Sequence, residues 1–171
     1  LLADKSGKHL KRIRVKTPDG SYEEILNAIA NLVSELATTP DLPVGIGIPG
    51  SISPTSGRVR NSNILALNQK LFSKDLEKTL GRPVRVANDA NCFTISESTD
   101  GAGKEANSVF GVILGTGVGG GISINSQILE GQNSIAGEWG HNPLPKITSD
   151  ASQRPCYCGR TNCIESWLSG P

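Results

Sequence analysis

Aromatic side chains make up only 4% of this 171-residue chain, which leaves few platforms on which nucleic-acid bases could stack. The formal net charge is +1, so no strong field draws the chain to nucleic acid or to an anionic membrane. No apolar run reaches the roughly 20 residues that a spanning helix needs, and no signal peptide opens the chain. The expectation is a cytoplasmic protein with no nucleic-acid and no membrane partner. An initiator Met is also missing, and the chain stops at Ser169-Gly-Pro just as a helix is starting, so both ends are expected to be cut. Glycine, by contrast, is abundant: twenty residues, clustered where backbone must turn sharply or approach a neighbour closely. The length suffices for a real core in one or two domains.

The four cysteines leave a choice between disulfides and metal. Nothing indicates secretion, which weakens the disulfide reading. Three of them, Cys156, Cys158 and Cys163, fall close together after His141, and one imidazole with three thiolates fills the tetrahedral shell of zinc. With no ligand position left for water, such a site is structural. Glu138 and Glu165 flank it, so a metal that fixes the ligands also positions two acids. Cys92 stands apart and reads as a small buried hydrophobe.

Hydrophobic periodicity places the elements. Residues 10–16 alternate apolar and basic side chains and predict an edge strand. Ser21 with Glu24 forms a capping box for a helix whose apolar face is Ile25, Leu26, Ile29, Leu32, Val33 and Leu36, ended by Pro40. Residues 42–48 predict a buried strand stopped by Pro49-Gly50. Residues 51–70 are polar and turn-rich, an ordinary surface loop or a source of hydrogen-bonding groups in Asn61, Asn63 and Asn68. Ser73 caps a helix through Leu80, with Gly81 at its left-handed end and Pro83 beyond. Residues 83–87 predict a strand and 89–99 a helix. The glycine-rich break at 100–103 is the expected domain boundary, giving 1–103 and 104–171. Strands follow over 108–114, 119–124 and, after a tight turn at Asn125-Ser126, through Leu129. This order predicts a mixed α/β architecture.

Two segments carry candidate chemistry. Gly115-Thr-Gly-Val-Gly-Gly-Gly121 follows a strand but leads into alternating residues, so a hairpin fits better than a dinucleotide-binding helix start. Such a turn either simply reverses the chain or presents backbone N–H groups, and the Thr116 hydroxyl, to phosphate. In Ala87-Asn-Asp89-Ala-Asn, Asn88 or Asp89 either caps the following helix or works at the carboxyl end of a strand, where ligands collect in α/β sheets. Three Asx residues exceed what a cap needs. Asp89, Glu138 and Glu165 together offer acceptors for a polyol, one of which could serve as general base toward a hydroxyl attacking ATP. Their plain alternative is as surface groups or supports for the metal ligands. A metal-bound His141 keeps one ring N–H for a carboxylate, a carbonyl or a substrate oxygen.

Gly45-Ile-Gly-Ile-Pro-Gly-Ser-Ile-Ser-Pro54, Ala87-Asn-Asp-Ala-Asn-Cys92, Leu114-Gly-Thr-Gly117, Ala136-Gly-Glu-Trp-Gly-His-Asn-Pro-Leu-Pro145 and Pro155-Cys-Tyr-Cys-Gly159 with Cys163-Ile-Glu165 resemble, in order and spacing over residues 42–170, the ROK (repressor, open reading frame, kinase) family, and within it the bacterial fructokinases of the mannofructokinase type. The resemblance implies an actin-like ATPase (RNase H-like) fold with two lobes around a cleft. It implies phosphorylation of a hexose, most closely fructose to fructose 6-phosphate, by ATP with Mg2+. By motif match Asp89 would be the base. Asn63, Asn88, Asp89, Glu138, His141 and Glu165 would bind the sugar. Gly115, Thr116, Gly117, Val118, Gly119, Gly120 and Gly121 would hold ATP phosphates, and His141, Cys156, Cys158 and Cys163 a structural Zn2+. Association into a homo-oligomer fits the family. The family's opening Asp-x-Gly-Gly-Thr phosphate loop is not in this sequence, so the 171 residues are expected to be inactive alone. Two further readings are a ROK transcriptional repressor that senses a sugar without kinase activity, and a zinc-dependent binding module with no chemistry.

Overall fold

The computed structural model describes residues 1–37, 39, 41–145 and 153–170. Compactness divides the chain into two units, Leu1–Ala87 and Asn88–Pro171. The division precedes the glycine break expected to end the first domain at 103, because the helix before that break packs on the strands after it.

In the first unit, β1 (Leu2–Ala3) pairs antiparallel with β2 (His9–Lys11). The strand expected over 10–16 is thus shorter and shifted, since the two residues of β1 provide a ladder partner no further along. Helix α1 (Tyr22–Leu36) begins as expected: Ser21 Oγ accepts from the Glu24 N–H at 3.3 Å, and Glu23 and Glu24 complement the helix dipole. It ends at Leu36 with Ala37 extended, while Pro40, expected to stop it, lies outside the described residues. Strand β3 (Val44–Ile48) runs beside β6 (Val84–Asn88). Between them lie the short antiparallel pair β4 (Ser51–Ile52) and β5 (Val59–Arg60), a 3-10 turn at Leu65–Leu67, and α2 (Phe72–Leu80). Gly50 has φ +83°, and a Cβ there would lie 2.5 Å from the Arg60 carbonyl oxygen, so the turn after β3 requires glycine.

The segment 51–70 is more ordered than a plain surface loop. Ser62 N–H donates to Asn68 Oδ1 at 3.0 Å while Asn68 Nδ2 donates to the Ser62 carbonyl at 2.9 Å, a two-bond clamp that keeps the turn closed. Helix α2 starts one residue before the expected cap: Phe72 is its first residue and Ser73 lies inside the first turn. Burial of Phe72, only 1% exposed, outweighs the cap signal. Gly81 ends α2 in the left-handed region, as expected. Tyr22, Ile25, Ile48, Val59, Leu67, Phe72, Leu76 and Val84 form the core of this unit.

The second unit is a helix on a hairpin. Helix α3 (Asp89–Thr99) packs against β7 (Ser108–Leu114) and β8 (Val118–Ile124), and β9 (Gln127–Ile128) completes the sheet in the order β7-β8-β9. Asn125 and Ser126 have φ of 50° and 57°, the paired positive values of a type I′ hairpin turn. The sequence of α3 has no apolar stripe; its inward residues are Ala90, Thr94 and Ser98, all small. They face glycines: a Cβ on Gly111 would lie 2.1 Å, and on Gly121 2.6 Å, from Thr94 Oγ1. Helix and hairpin therefore approach almost backbone to backbone, and Ser98 Oγ bonds Ser123 Oγ at 3.0 Å inside the contact. The short α4 (Glu165–Leu168) closes the described chain. Among the described residues no helix is long and apolar enough to cross a membrane.

Candidate functional site

Segment 137–145 lies across β8. Trp139 Nε1 donates to the Gly119 carbonyl at 2.8 Å, and its ring meets Phe110 edge-on at 6.0 Å. The glycines around it have steric reasons. A Cβ on Gly120 would meet the Gly111 and Gly137 carbonyl oxygens at 2.8 and 3.0 Å, and one on Gly140 would sit 2.1 Å from the Val118 oxygen. His141 is thereby anchored to the hairpin by the backbone immediately before it.

The thiolate ligands come from a separate knuckle. Cys156 N–H donates to the Arg160 carbonyl and Gly159 N–H to the Cys156 carbonyl, which turns the chain so that Cys156 and Cys158 point the same way. Cys163 returns beside Pro143 through an antiparallel bridge. The ligand atoms of His141, Cys156, Cys158 and Cys163 all lie within 4.8 Å of one another. Cys156 Sγ is 3.5 Å from His141 Nδ1, and Cys158 Sγ is 3.6 Å from Cys163 Sγ. Ideal tetrahedral zinc bonds place sulfur atoms about 3.8 Å apart and sulfur from nitrogen about 3.6 Å. The donor set fits zinc in type, number and spacing. None of the four cysteines is in a disulfide. Cys158 is lowered to about 7, chiefly by the backbone N–H of Arg160, while desolvation and the neighbouring thiols raise Cys163 to about 11. A divalent metal is the group that would hold both as thiolates.

The acids gather around this cluster. The Glu138 carboxyl is raised, first by desolvation; His141 lowers it, and the charges of Asp89 and Glu165 raise it further. Those four predicted residues therefore share one electrostatic neighbourhood. Asp89 is the exposed first residue of α3, and its Oδ1 accepts from the adjacent Ala90 N–H at 2.9 Å. The cap is Asn88, whose Oδ1 accepts from the Asn91 N–H at 3.0 Å. The choice between cap and working acid at 88–89 is thus divided between two residues. Glu165 is 9% exposed, and its Oε2 accepts from the Val118 N–H at 2.8 Å. Asn63 belongs to the other unit, is exposed, and is not among these residues. Cys92 is half-buried, with its thiol raised by desolvation and then by Asp89, which makes it a poor nucleophile.

The glycine run divides in two. Val118, Gly120 and Gly121 are buried in β8, and with Gly119 they belong to strand rather than turn. Close packing against Gly111, Gly137 and Trp139 accounts for Gly120, and against Thr94, Asn91 and Ala90 for Gly121, whereas a Cβ on Gly119 would meet only Ala90 Cβ at 3.9 Å. Residues 115–117 form the turn itself. Gly115 N–H donates to the Gly117 carbonyl at 2.9 Å and Val118 N–H to Glu165, so the turn donors that these bonds do not use are those of Thr116 and Gly117. A cavity of about 320 Å³ is lined by Thr116, Cys156, Tyr157, Glu165 and Ser169 among others. Tyr157 was not anticipated. Its hydroxyl lies 3.1 Å from His141 Nε2, so the second imidazole nitrogen faces a phenol; burial, and then the neighbouring Glu165 carboxylate, push that phenol up to about 12. An aromatic residue between two ligand cysteines carries no signal of that contact.

Matched against known families, residues 1–171 fit the model of the ROK family. The chain belongs to the ROK family. It is 42% identical over 165 residues to an N-acetyl-D-glucosamine kinase of Pasteurella multocida, covering 92% of this chain and 54% of the relative. A relative of the same name from Vibrio cholerae is 42% identical over 164 residues, again with 92% and 54% coverage. Among solved structures, a ROK family glucokinase from Streptomyces griseus in complex with glucose and AMPPNP matches with a TM-score of 0.80 at 31% identity, over 98% of this chain and 52% of that one. A ROK hexokinase from Thermus thermophilus matches with a TM-score of 0.73 at 28% identity, over 91% and 51%. The chain thus spans about half the length of these relatives. Its mixed α/β fold is the actin-like ATPase fold expected from the motifs, present in part.

Proposed function

We propose that the protein containing these residues transfers the γ-phosphoryl group of ATP to a hydroxyl of N-acetyl-D-glucosamine. The observation that carries this reading is the convergence of Asp89, Glu138, Glu165 and His141 beside a zinc-competent cluster. Such a group of acceptors suits a polyol better than an apolar ligand. The fructose expected from motif resemblance has less support than N-acetyl-D-glucosamine, the substrate named for relatives about 42% identical.

In this mechanism Asp89 takes the proton of the attacking sugar hydroxyl. The freed oxygen forms a bond to the γ-phosphorus as the bond from that phosphorus to the β-bridging oxygen breaks, releasing ADP. Glu138, Glu165 and His141 orient the sugar by accepting from or donating to its other hydroxyls, and Asn88 holds Asp89 at the start of α3. Residues 115–117, with the Thr116 hydroxyl, receive phosphate oxygens. His141, Cys156, Cys158 and Cys163 would hold zinc, which would supply structure rather than chemistry because four protein donors complete its usual ligand set. Magnesium bound with ATP would neutralise phosphate charge.

The test is a coupled ATP-consumption assay of the full-length protein on N-acetyl-D-glucosamine, fructose, glucose, mannose and allose. The expected result is the highest kcat/KM on N-acetyl-D-glucosamine. A preference for fructose restores the motif-based expectation, and sugar binding without turnover would favour a sugar-sensing repressor, a class with the same fold at 22% identity and a TM-score of 0.74.

A further inference from the structure

The carboxylate of Glu165 is tied to the glycine turn as well as to the acidic group. Its Oε2 accepts from Val118 N–H at 2.8 Å within a buried contact. A Cβ on Gly117 would fall 2.8 Å from that same oxygen, so the turn is shaped around the carboxylate. The backbone on either side repeats the attachment. Glu165 N–H donates to the Gly140 carbonyl at 2.8 Å, and Gly170 N–H to the Gly115 carbonyl at 2.7 Å. Residues 115–118 are therefore held from one side by the segment that carries Cys163, and that segment is itself joined to the one carrying His141.

We propose that Glu165 is a positioning residue for the nucleotide: it holds the 115–117 turn in the form that receives phosphate, and so joins the metal-bearing segment to the ATP side of the site. This rests on the kinase reading above and adds to it. One oxygen of Glu165 serves the turn, which leaves Oε1 for a sugar hydroxyl. Loss of the metal then loosens the turn as well as the sugar pocket. A buried carboxylate accepting a backbone N–H is among the stronger hydrogen bonds, and removing it leaves a donor without a partner.

The experiment uses full-length, zinc-loaded protein and measures the Kd of Mg-AMPPNP without sugar and, separately, the Kd of N-acetyl-D-glucosamine, by calorimetry. Glu165→Ala should weaken the nucleotide about tenfold. Glu165→Gln, whose amide oxygen can still accept from Val118, should keep nucleotide affinity within about threefold. Gly117→Ala, which leaves the carboxylate intact but crowds it off the turn, should weaken the nucleotide as Glu165→Ala does and covers the case in which that variant fails to fold. Amide exchange at Val118 should accelerate in Glu165→Ala and in chelator-treated wild type. Nucleotide affinity unchanged in Glu165→Ala and Gly117→Ala overturns the positioning role, even if sugar affinity falls, and leaves the sugar site standing. Equal loss in the Gln and Ala variants overturns it too, because charge rather than the bond would then matter. Wild type that binds AMPPNP but phosphorylates no sugar removes the kinase reading alone, and wild type that binds no nucleotide overturns both.

Discussion

Two glycines of the second unit, Gly140 and Gly115, should respond oppositely to the same substitution. A methyl on Gly140 would stand 2.1 Å from the Val118 carbonyl oxygen and 3.0 Å from its carbon, both backbone atoms. Restoring an ordinary contact requires roughly 1 Å of movement between segment 137–141 and β8. Overpacking of this kind costs about 1–3 kcal/mol. The same shift strains the 2.8 Å bond from Glu165 N–H to the Gly140 carbonyl, adding about 0.5–1.5 kcal/mol. Gly140→Ala should therefore destabilise the zinc-loaded protein by about 1.5–4.5 kcal/mol. At about 2–4 °C per kcal/mol, its Tm falls by roughly 3–18 °C. Around Gly115 a Cβ meets nothing within 4 Å, and its φ is not positive. Gly115→Ala should stay within about 0.5 kcal/mol of wild type yet raise the KM for ATP severalfold, because its methyl projects from the open turn. Thermal unfolding by differential scanning fluorimetry and steady-state kinetics on the full-length protein measure both effects. Equal Tm values for the two variants, or a Gly115→Ala variant with wild-type ATP KM, would refute the distinction between a packing glycine at 140 and a ligand glycine at 115.

Glu138→Gln should exchange function for stability. Burial raises the native carboxyl above the ordinary glutamate value of 4.5, so the folded state binds its proton more tightly than the unfolded state does. Its favourable contribution is complete below that value and is lost as pH rises through the folded pKa. The glutamine variant lacks that decline: its Tm should exceed wild type at pH 7, the gap closing below pH 4.5, while sugar binding is lost. A Tm gap independent of pH would count against the buried acid. Cys158→Ser should release zinc and lose sugar affinity together, as shown by metal analysis and calorimetry; intact sugar binding without metal would break that link. At free zinc a hundredfold above its Kd, the wild type should lose about 2.7 kcal/mol on chelation, or roughly 5–11 °C in Tm.

Elements governed by local chemistry were legible in the sequence. The Ser21–Glu24 cap, the left-handed Gly81, the Asn125-Ser126 turn and the Asp89–Thr99 helix depend on neighbours a few residues away. The His–Cys₃ set was legible because zinc demands particular donors at short spacing, and the four ligand atoms do converge. Long-range contacts were not legible. The inward face of α3 is small rather than apolar because it meets Gly111 and Gly121, so neither the helix nor the hairpin alone reveals why the glycines are needed. For the same reason the sequence does not show that Gly120 and Gly121 are required by close packing. Phe72 opening α2, the partner strand at Leu2–Ala3 and the Tyr157 hydroxyl facing His141 all depend on tertiary neighbours that spacing does not encode.

The central claim is that Asp89 removes a proton from a sugar hydroxyl bound beside the zinc cluster. Its most direct test is Asp89→Asn in the full-length protein, with Kd for N-acetyl-D-glucosamine from calorimetry and kcat from coupled ATP consumption. The asparagine preserves shape and leaves the Asn88 cap untouched, so sugar Kd should remain within about threefold while kcat falls at least about a hundredfold. Turnover near the wild-type rate would contradict the assignment.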